Sequence, residues 1–322
     1  MREFELIARI RSRAKAAPGV VLGIGDDAAI LDQTAGEQWV VTTDTLVAGV
    51  HFPLDAKPAD IGYKTLAVSL SDLAAMGAAP RFATLALTLP SVDSGFVEPL
   101  LEALIALGET HGLTLVGGDT TRGPLALSLT AIGTLPAGTA LRRDGAQSGD
   151  AVYVSGSLGD AAAALALRGS RSALEGADKL ARDRLAQRLA RPTPRVGLGQ
   201  ALRGHARSCI DVSDGLTADL AHICRASGLA AVIDPLTLPA SRALLTLVPD
   251  SDQRLRYQLG GDDYELCFSI APEDEHQLVR IAAISRVALT RIGTLGPGEG
   301  VHLLGADGRL SAGPVSGYEH FA

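Results

Sequence analysis

The chain has 322 residues, which at roughly 150 residues per domain predicts about two domains. Hydrophobic residues make up 47% and charged residues 20% of the sequence, which is typical of a folded protein and excludes a disordered one. Acidic residues outnumber basic residues by 36 to 29, and the net charge of −7 gives no global positive field for nucleic acid or anionic lipid.

The cysteines and the hydropathy pattern favour a cytoplasmic protein. Cys209, Cys224 and Cys267 have no metal-type spacing, and their apolar neighbours predict buried thiols rather than a disulfide framework. No stretch approaches the ~18 consecutive apolar residues of a membrane helix. The first residues also lack the apolar run of a signal peptide, so we expect a location in the reducing cytoplasm.

The first half of the chain alternates predicted helices and strands. The helix over 58–76 is marked by Pro58 at its start and by Gly77 at its end. The predicted elements are a helix over 2–17, an apolar run over 20–31, a strand over 37–45, the helix over 58–76, a strand over 81–90, a helix over 95–111 and strands over 113–120 and 125–135.

A segment rich in Gly and Ala, residues 136–150, is the candidate domain boundary, and we predict domains over 1–137 and 138–322. The second half is predicted to contain a strand, turn and helix over 151–167, helices over 177–190 and 195–204, a strand and helix over 208–227, a strand over 264–270, an amphipathic segment over 273–284, a strand over 287–295 and a terminal hairpin. Helices and strands alternate without a regular βαβ count. We therefore predict the α+β class in both domains, with a mixed sheet in the first.

Acidic residues recur in one local context, an apolar β-like run followed by Asp beside Gly, Ser or Thr. These residues are Asp26, Asp27, Asp44, Asp119, Asp211 and Asp214. Asp72 differs, because it lies on the apolar helix 58–76 and is costly to bury without a partner. One Asp-Gly after a strand is usually a turn, but so many indicate a site. Carboxylates and hydroxyls without His or Cys at ligand spacing favour Mg²⁺ or Mn²⁺, and hence phosphoryl transfer or hydrolysis with more than one metal.

Weaker candidates accompany these acids. The turn 117–120 lets a phosphate approach backbone amides, and the turn 155–159 is either an anion site or a plain helix cap. His51 is either structural or a ligand contact, and the pair at 142–143 is either exposed or a phosphate clamp. The acids of segment 260–266 belong either to a site or to a solvated turn. The Walker and protein-kinase loops are missing.

Six motifs, in order, resemble those of the thiamine-monophosphate kinase family. They are GIGDDAA, TTDTLVAGVHF, KTLAVSLSDLAAMGAAP, VGGDTTRGP, DVSDGLTADL and GGDDYEL. The family belongs to the ATP-binding superfamily of aminoimidazole ribonucleotide synthetase and selenophosphate synthetase. The resemblance runs from about residue 20 to the C-terminus and implies ATP-dependent, direct phosphorylation of thiamine monophosphate to thiamine diphosphate, the last step of thiamine diphosphate biosynthesis.

The resemblance also implies roles for individual residues. Several Mg²⁺ ions would be held by Asp27, Thr42, Thr43, Asp44, Asp72, Asp119, Asp211 and Asp214, of which Asp44, Asp72 and Asp119 are expected to be catalytic. ATP would be contacted by Gly118, Asp119, Arg143 and Ser213, and the thiamine pocket would be lined by His51, Asp262 and Tyr318. The family forms a homodimer through the sheet of its first domain, and its second domain completes the ATP and substrate site. No nucleic acid or membrane partner is expected.

The sequence departs from the family in two places, and two other classes of protein stay open. Asp262 stands where the family usually has Glu, and aliphatic Leu100 and Leu101 stand where an aromatic residue near adenine is common. Among related enzymes, selenophosphate synthetase is disfavoured because no cysteine precedes Cys209. A non-catalytic nucleotide-binding protein and a structural oligomer are the alternatives outside enzymes, and neither needs phosphate transfer.

Overall fold

The computed structural model describes residues 12–13, 18–22, 30–31, 34–168, 178–313 and 317. The chain divides into two compact units, which we call the first and second units. The first unit comprises Met1–Leu73 and Ala78–Thr139, and the second comprises Ala74–Gly77 and Ala140–Ala322. Both units combine helices with a sheet, which confirms the predicted two-domain α+β class.

The strands and helices are numbered in chain order. The strands are β1 (Val20–Leu22), β2 (Ile30–Leu31), β3 (Glu37–Val47), β4 (Ala79–Leu89), β5 (Thr114–Arg122), β6 (Ala126–Pro136), β7 (Ala151–Ser155), β8 (Ala206–Asp211), β9 (Ala230–Ile233), β10 (Leu266–Ile270), β11 (Leu289–Gly296), β12 (Gly300–Leu304) and β13 (Leu310–Ala312). The helices are α1 (Pro58–Ala75), α2 (Ser94–Thr110), α3 (Asp160–Arg168), α4 (Lys179–Ala190), α5 (Val196–Leu202), α6 (Leu216–Ser227), α7 (Arg242–Leu247), α8 (Ser251–Gln258) and α9 (Gln277–Ser285).

The first unit contains a four-stranded sheet in the order β3-β6-β4-β5. β4 and β5 are parallel and the other pairs are antiparallel, so the sheet is mixed, as predicted. One row of the sheet runs from Asp44 through Leu129 and Leu85 to Gly118. With neighbouring strands about 4.8 Å apart, the backbones at the two ends of this row are about 14 Å apart.

The two faces of this sheet differ in polarity. Strand residues such as Leu85 and Leu129 are buried on the face that α1 covers. The opposite face carries hydroxyl pairs, with 2.8 Å between the Oγ1 atoms of Thr43 and Thr130, and Val41 there is 61% exposed. The alternation of a strand thus separates an apolar face from a hydroxyl-rich, exposed one.

Helices α1 and α2 approach each other closely at Gly62. A Cβ at this position would overlap the carbonyl oxygen of Leu100. Glycine is therefore required by backbone proximity, and Leu100 and Leu101 are buried in α2. Because these two leucines pack in the interior, the structure assigns them to the core of the first unit.

The second unit contains a seven-stranded sheet in the order β13-β12-β9-β11-β7-β10-β8. Only the β9 and β12 pair is parallel. Helix α6 packs against β8, β9 and β12, and its buried residues Leu220 and Ile223 join the main apolar core of the unit. A smaller apolar cluster joins α3, α4 and α7.

All three cysteines are buried free thiols, as predicted. Burial raises the pKa of Cys224 to about 11 and that of Cys209 further. These thiols are therefore packing groups rather than nucleophiles. Within the part of the chain that the structure describes, no helix has the length and apolar composition needed to cross a membrane.

Candidate active site

Two of the predicted acids meet between strand β3 and helix α1. The carboxylate of Asp44 accepts a hydrogen bond from Ser69 Oγ at 2.6 Å, and Thr42 Oγ1 donates to the carboxylate of Asp72. Residues two apart on a strand share one face, and residues three apart on a helix also share one face. The spacing of Thr42 and Asp44 therefore matches that of Ser69 and Asp72, and the partner that buried Asp72 needed is a threonine hydroxyl.

Burial raises the pKa of the Asp44 carboxyl, and the hydrogen bond from Ser69 and the charge of nearby His51 oppose this shift. The net upward direction means that the protein around Asp44 only partly replaces the water lost on burial. A cation at this position would favour the ionised carboxylate.

His51 lies at the end of a tight turn after β3. Its Nδ1 accepts a hydrogen bond from Val47 N at 2.9 Å, and its carbonyl oxygen accepts one from Lys64 Nζ at 3.4 Å. Because Nδ1 is an acceptor, a proton on the neutral ring belongs to Nε2. The turn thus fixes the position of the His51 ring near Asp44.

One predicted residue, Thr43, is not joined to this group, and two others lie outside the described residues. Thr43 presents its hydroxyl to Thr130 on the opposite face of the sheet. Asp27 and Tyr318 lie outside the described residues. Among the residues that the structure describes, no group of three or more His, Cys, Asp or Glu side chains is arranged to hold a metal ion.

Gly118 and Asp119 lie on the exposed part of edge strand β5. Gly118 has a φ of 154°, and a Cβ there would overlap the backbone of Leu85 on the neighbouring strand. Only glycine fits this close approach between strands. Asp119 is level with Ala86 and lies one residue past the row of Asp44.

Four predicted residues of the second unit lie on two loops, the loop 211–215 at the end of β8 and the loop 260–264 before β10. Asp262 N donates to Ser213 O at 2.7 Å, and Tyr264 N donates to Val212 O at 2.8 Å. The antiparallel pairing of β8 with β10 therefore continues past the strand ends. It places Asp262 beside Ser213 and Asp214, so predicted nucleotide, metal and substrate residues come together.

Asp262 has a φ of 72°, which is left-handed backbone. Asp and Asn tolerate this region better than longer side chains, because their short polar groups bond locally. The loop geometry therefore gives a physical reason for Asp at the position where the family usually has Glu.

We expect Asp262→Glu to lower the free energy of unfolding by up to about 1 kcal/mol, because Glu tolerates a positive φ less well than Asp. Chemical denaturation would measure this change. The matched control is Asp252→Glu on α8, which has no positive φ and should leave stability unchanged. An Asp262→Glu variant as stable as the control would contradict the backbone explanation.

The other acids of segment 260–266 belong to a buried network. Glu265 is fully buried and accepts two hydrogen bonds from Arg195, at 2.6 and 2.5 Å, together with one from Arg188 at 3.0 Å and one from Ser155 at 2.6 Å. Arg188 also donates to Asp263 O at 2.9 Å. Glu265 is therefore a structural anchor for the loop rather than part of a solvated turn.

The contact of Asp263 with the turn 155–159 distinguishes a helix cap from an anion site, the two interpretations of that turn. Its Oδ2 accepts a hydrogen bond from Gly159 N at 2.7 Å at the start of α3. Because a carboxylate of the protein already occupies this amide, and buried Asp160 follows it, the turn is a helix cap rather than an anion site. Burial raises the pKa of Asp263 well above its usual range, and its Oδ1 has no hydrogen-bond partner.

We expect Arg188→Met to lower the free energy of unfolding by roughly 2 kcal/mol, since it removes one of two cations from a buried carboxylate. The loss is below that of a fully unpaired charge because Arg195 stays. Arg184→Met on the exposed side of the same helix is the control and should change stability little. Equal denaturation midpoints for the two variants would contradict the proposed anchor.

Arg143 lies near the loop 211–215. Its side chain is exposed, and its carbonyl oxygen accepts a hydrogen bond from Ser227 Oγ at 2.9 Å. The pKa of His222 is lowered by burial and by the charges of Arg143 and Arg225, whereas Asp214 opposes the shift. His222 therefore lies close to both Arg143 and Asp214. Sequence reasoning missed it, because a lone His on an amphipathic helix has no distinguishing pattern.

Two further acids, Asp211 and Asp219, lie on either side of Ser213 and Asp214 in the chain. Asp211 is buried at the end of β8, opposite Leu266. Asp219, in the first turn of α6, accepts hydrogen bonds from three backbone amides of the loop 211–215. Burial raises the pKa of Asp219 to about 7. The clue in the sequence is an acid five residues after Asp214, near the start of the helix.

The sequence matches one class of protein over most of its length. Residues 25–135 match the family described as AIR synthase related protein, N-terminal domain, and residues 147–305 match the corresponding C-terminal domain. The chain is thus a two-domain protein of the AIR synthase related class.

Closer relatives define the family within that class. The chain is 46% identical to the thiamine-monophosphate kinase of Salmonella typhimurium LT2, over 99% of this chain and 98% of that protein. It matches the crystal structure of the thiamine-monophosphate kinase of Stenotrophomonas maltophilia K279a with a TM-score of 0.87 and 50% identity, over 97% of this chain and 98% of that one. It matches a structure of AaThiL complexed with AMPPCP and TMP with a TM-score of 0.78 and 30% identity, over 100% of this chain and 99% of that one. The chain belongs to the thiamine-monophosphate kinase family, which confirms the resemblance found in its motifs.

Proposed function

We propose that this protein transfers the γ-phosphoryl group of ATP directly to thiamine monophosphate, giving thiamine diphosphate in the last step of its biosynthesis. The observation that carries the proposal is the pair of carboxylates, Asp44 and Asp72, each bonded to a hydroxyl between β3 and α1. The similarity of the whole chain to thiamine-monophosphate kinases supports the choice of substrate.

The donor set fits Mg²⁺. Around Asp44 the ligand atoms on offer are carboxylate and hydroxyl oxygens, and burial of the Asp44 carboxylate makes a nearby cation favourable. We propose that Mg²⁺ ions are held by Asp27, Thr42, Asp44, Asp72, Asp119, Asp211 and Asp214, and not by Thr43, whose hydroxyl lies on the opposite face of the sheet. Bound Mg²⁺ would neutralise the charge of two phosphorylated substrates.

The resemblance to the family supports the roles proposed for the protein's own groups. Gly118, Asp119, Arg143 and Ser213 would hold ATP and its phosphates, and His51, Asp262 and Tyr318 would line the thiamine site. Because a phosphate monoester is already ionised at neutral pH, no residue has to remove a proton from it. Positioning and charge neutralisation are then the main contributions of the protein.

The sheet of the first unit supports a homodimer. Its face with Val41, Thr43 and Thr45 is exposed, whereas Leu85 and Leu129 on the other face are buried. We propose that two copies pair through this face.

The unpaired thiols of the cysteines support a reducing location, the cytoplasm. The domain boundary at 137/138 and the completion of the site by the second domain stay predictions.

The test is an assay of the purified protein with ATP, Mg²⁺ and thiamine monophosphate, in which chromatography separates the thiamine phosphates. We expect thiamine diphosphate to form from the monophosphate, and no phosphorylated product to form from thiamine itself, the control acceptor. Binding of ATP without phosphorylation of thiamine monophosphate would overturn the proposed acceptor.

A further inference from the structure

One buried carboxylate in the second unit accepts hydrogen bonds from the backbone of a loop. Oδ2 of Asp219 accepts hydrogen bonds from the backbone amides of Ser213, Asp214 and Gly215, at 3.0, 3.1 and 3.0 Å. Asp219 is 3% exposed. Three consecutive amides that converge on one oxygen form an anion-binding nest, and here a carboxylate of the protein itself fills it.

The same loop is held from its other side. The carbonyl oxygen of Ser213 accepts the hydrogen bond from Asp262 N, and a Cβ at Gly261 would overlap that carbonyl group. A Cβ at Gly215 would lie 2.6 Å from Leu259 O. The backbone of the loop is thus fixed between Asp219 and the loop 260–264.

The cost of Asp219 argues against a role in packing alone. An ionised carboxylate is expensive to bury, and an apolar side chain on α6 would join the core beside Leu220 at no such cost. Three charge-assisted bonds to one short loop offset this cost, and they hold that loop in one conformation. That loop carries Ser213 and Asp214, which we assign to ATP and Mg²⁺.

We propose that Asp219 is a positioning residue, which fixes the backbone of residues 213–215 so that Ser213 and Asp214 are held ready for Mg²⁺-bound ATP. Asp219 touches neither substrate. The proposal rests on the proposed kinase function for the identity of the ligand.

The test compares two buried aspartates of the second unit. Asp150 is also fully buried and accepts hydrogen bonds from Gln147 N, Arg207 Nη1 and Ser269 Oγ, at 2.8, 2.8 and 3.2 Å. It precedes β7, whose Ala151 pairs with Ile270, at the opposite end of β10 from the loop 211–215. Asp150→Ala is therefore a control for the loss of a buried carboxylate.

Calorimetry would measure the affinity of each full-length variant for AMPPCP, a non-hydrolysable ATP analogue, with Mg²⁺. We expect Asp219→Ala to weaken binding about tenfold, Asp219→Asn, which keeps an acceptor oxygen, to weaken it about threefold, and Asp150→Ala to leave it unchanged. Unchanged affinity in Asp219→Ala, or equal weakening in Asp150→Ala, would overturn the proposal. This binding measurement does not use thiamine monophosphate. Failure of the wild-type protein to phosphorylate thiamine monophosphate would therefore count against the proposed function and not against the role of Asp219.

If Asp219→Ala does not fold, Asp219→Asn alone decides through hydrogen exchange. We expect the amides of residues 213–215 to exchange faster than in the wild-type protein, because a neutral acceptor bonds them more weakly, whereas the amides of β8 keep their protection. Unchanged exchange at 213–215 would overturn the proposal.

Discussion

Asp44→Asn and Asp72→Asn are expected to lower kcat/KM for thiamine monophosphate by roughly 10³-fold or more, because each removes a carboxylate proposed to hold the Mg²⁺ that would neutralise negative charge in the transition state. The fold should survive, since an amide oxygen can still accept the bond that Ser69 donates to residue 44 or Thr42 donates to residue 72. Steady-state kinetics and circular dichroism measure the two effects.

Stability separates a functional acid from a structural one. Because burial raises the pKa of Asp44, folding favours its protonated form, and its contribution to stability decreases as pH rises through its titration. At neutral pH, with EDTA present, Asp44→Asn should therefore melt at the same temperature as the wild-type protein or higher. Asp60→Asn, in the first turn of helix α1, is the control for activity. A folded Asp44→Asn variant with normal turnover would refute the assignment of metal ligands.

Gly118→Ala should destabilise the first unit by roughly 2–4 kcal/mol and abolish ATP-dependent turnover. The new Cβ would overlap the backbone of Leu85 on β4, and backbone cannot yield by rotating as a side chain does. β4 and β5 would have to separate at the place where Asp119 is held. Chemical denaturation measures the first effect and the kinase assay the second.

The neighbouring glycine is the matched control. A Cβ at Gly117 would lie 3.6 Å from a methyl group of Thr84, an ordinary contact, and Gly117 has no positive φ. We expect Gly117→Ala to retain stability within about 1 kcal/mol. If both alanine variants behave alike, the close approach of the two strands at Gly118 is not what limits this position.

Local patterns predicted most elements of the first unit. The helix predicted over 58–76 is Pro58–Ala75, and the strand predicted over 125–135 is Ala126–Pro136. These elements have strong periodicity and clear Pro and Gly boundaries, which are properties of neighbouring residues. The strand Ala230–Ile233 and the helices Arg242–Leu247 and Ser251–Gln258 were not predicted, because they are short and their patterns are weak.

Long-range pairing could not be predicted from local patterns. The order of the seven-stranded sheet, with β12 parallel to β9, depends on contacts between distant segments. The anchor of Glu265 is Arg195, 70 residues earlier in the chain, so basic residues near an acid in sequence are a poor guide to its partners.

The candidate site was predicted in part. Motifs identified Asp44 and Asp72, and the structure brings them together with Ser69 and Thr42 as their partners. The resemblance named Thr42 and Thr43 alike, but the alternation of the strand places their hydroxyls on opposite faces. Asp219 was missed because its role depends on backbone amides, which no side-chain motif reveals.

The most direct test of this account is the stoichiometry of one reaction. Purified protein would be mixed with ATP and thiamine monophosphate, with Mg²⁺ or with EDTA, and ADP and thiamine diphosphate would be measured together over time. We expect one thiamine diphosphate for each ADP with Mg²⁺ and neither product with EDTA. ADP without thiamine diphosphate, or equal rates in EDTA, would contradict direct, metal-dependent transfer to this acceptor.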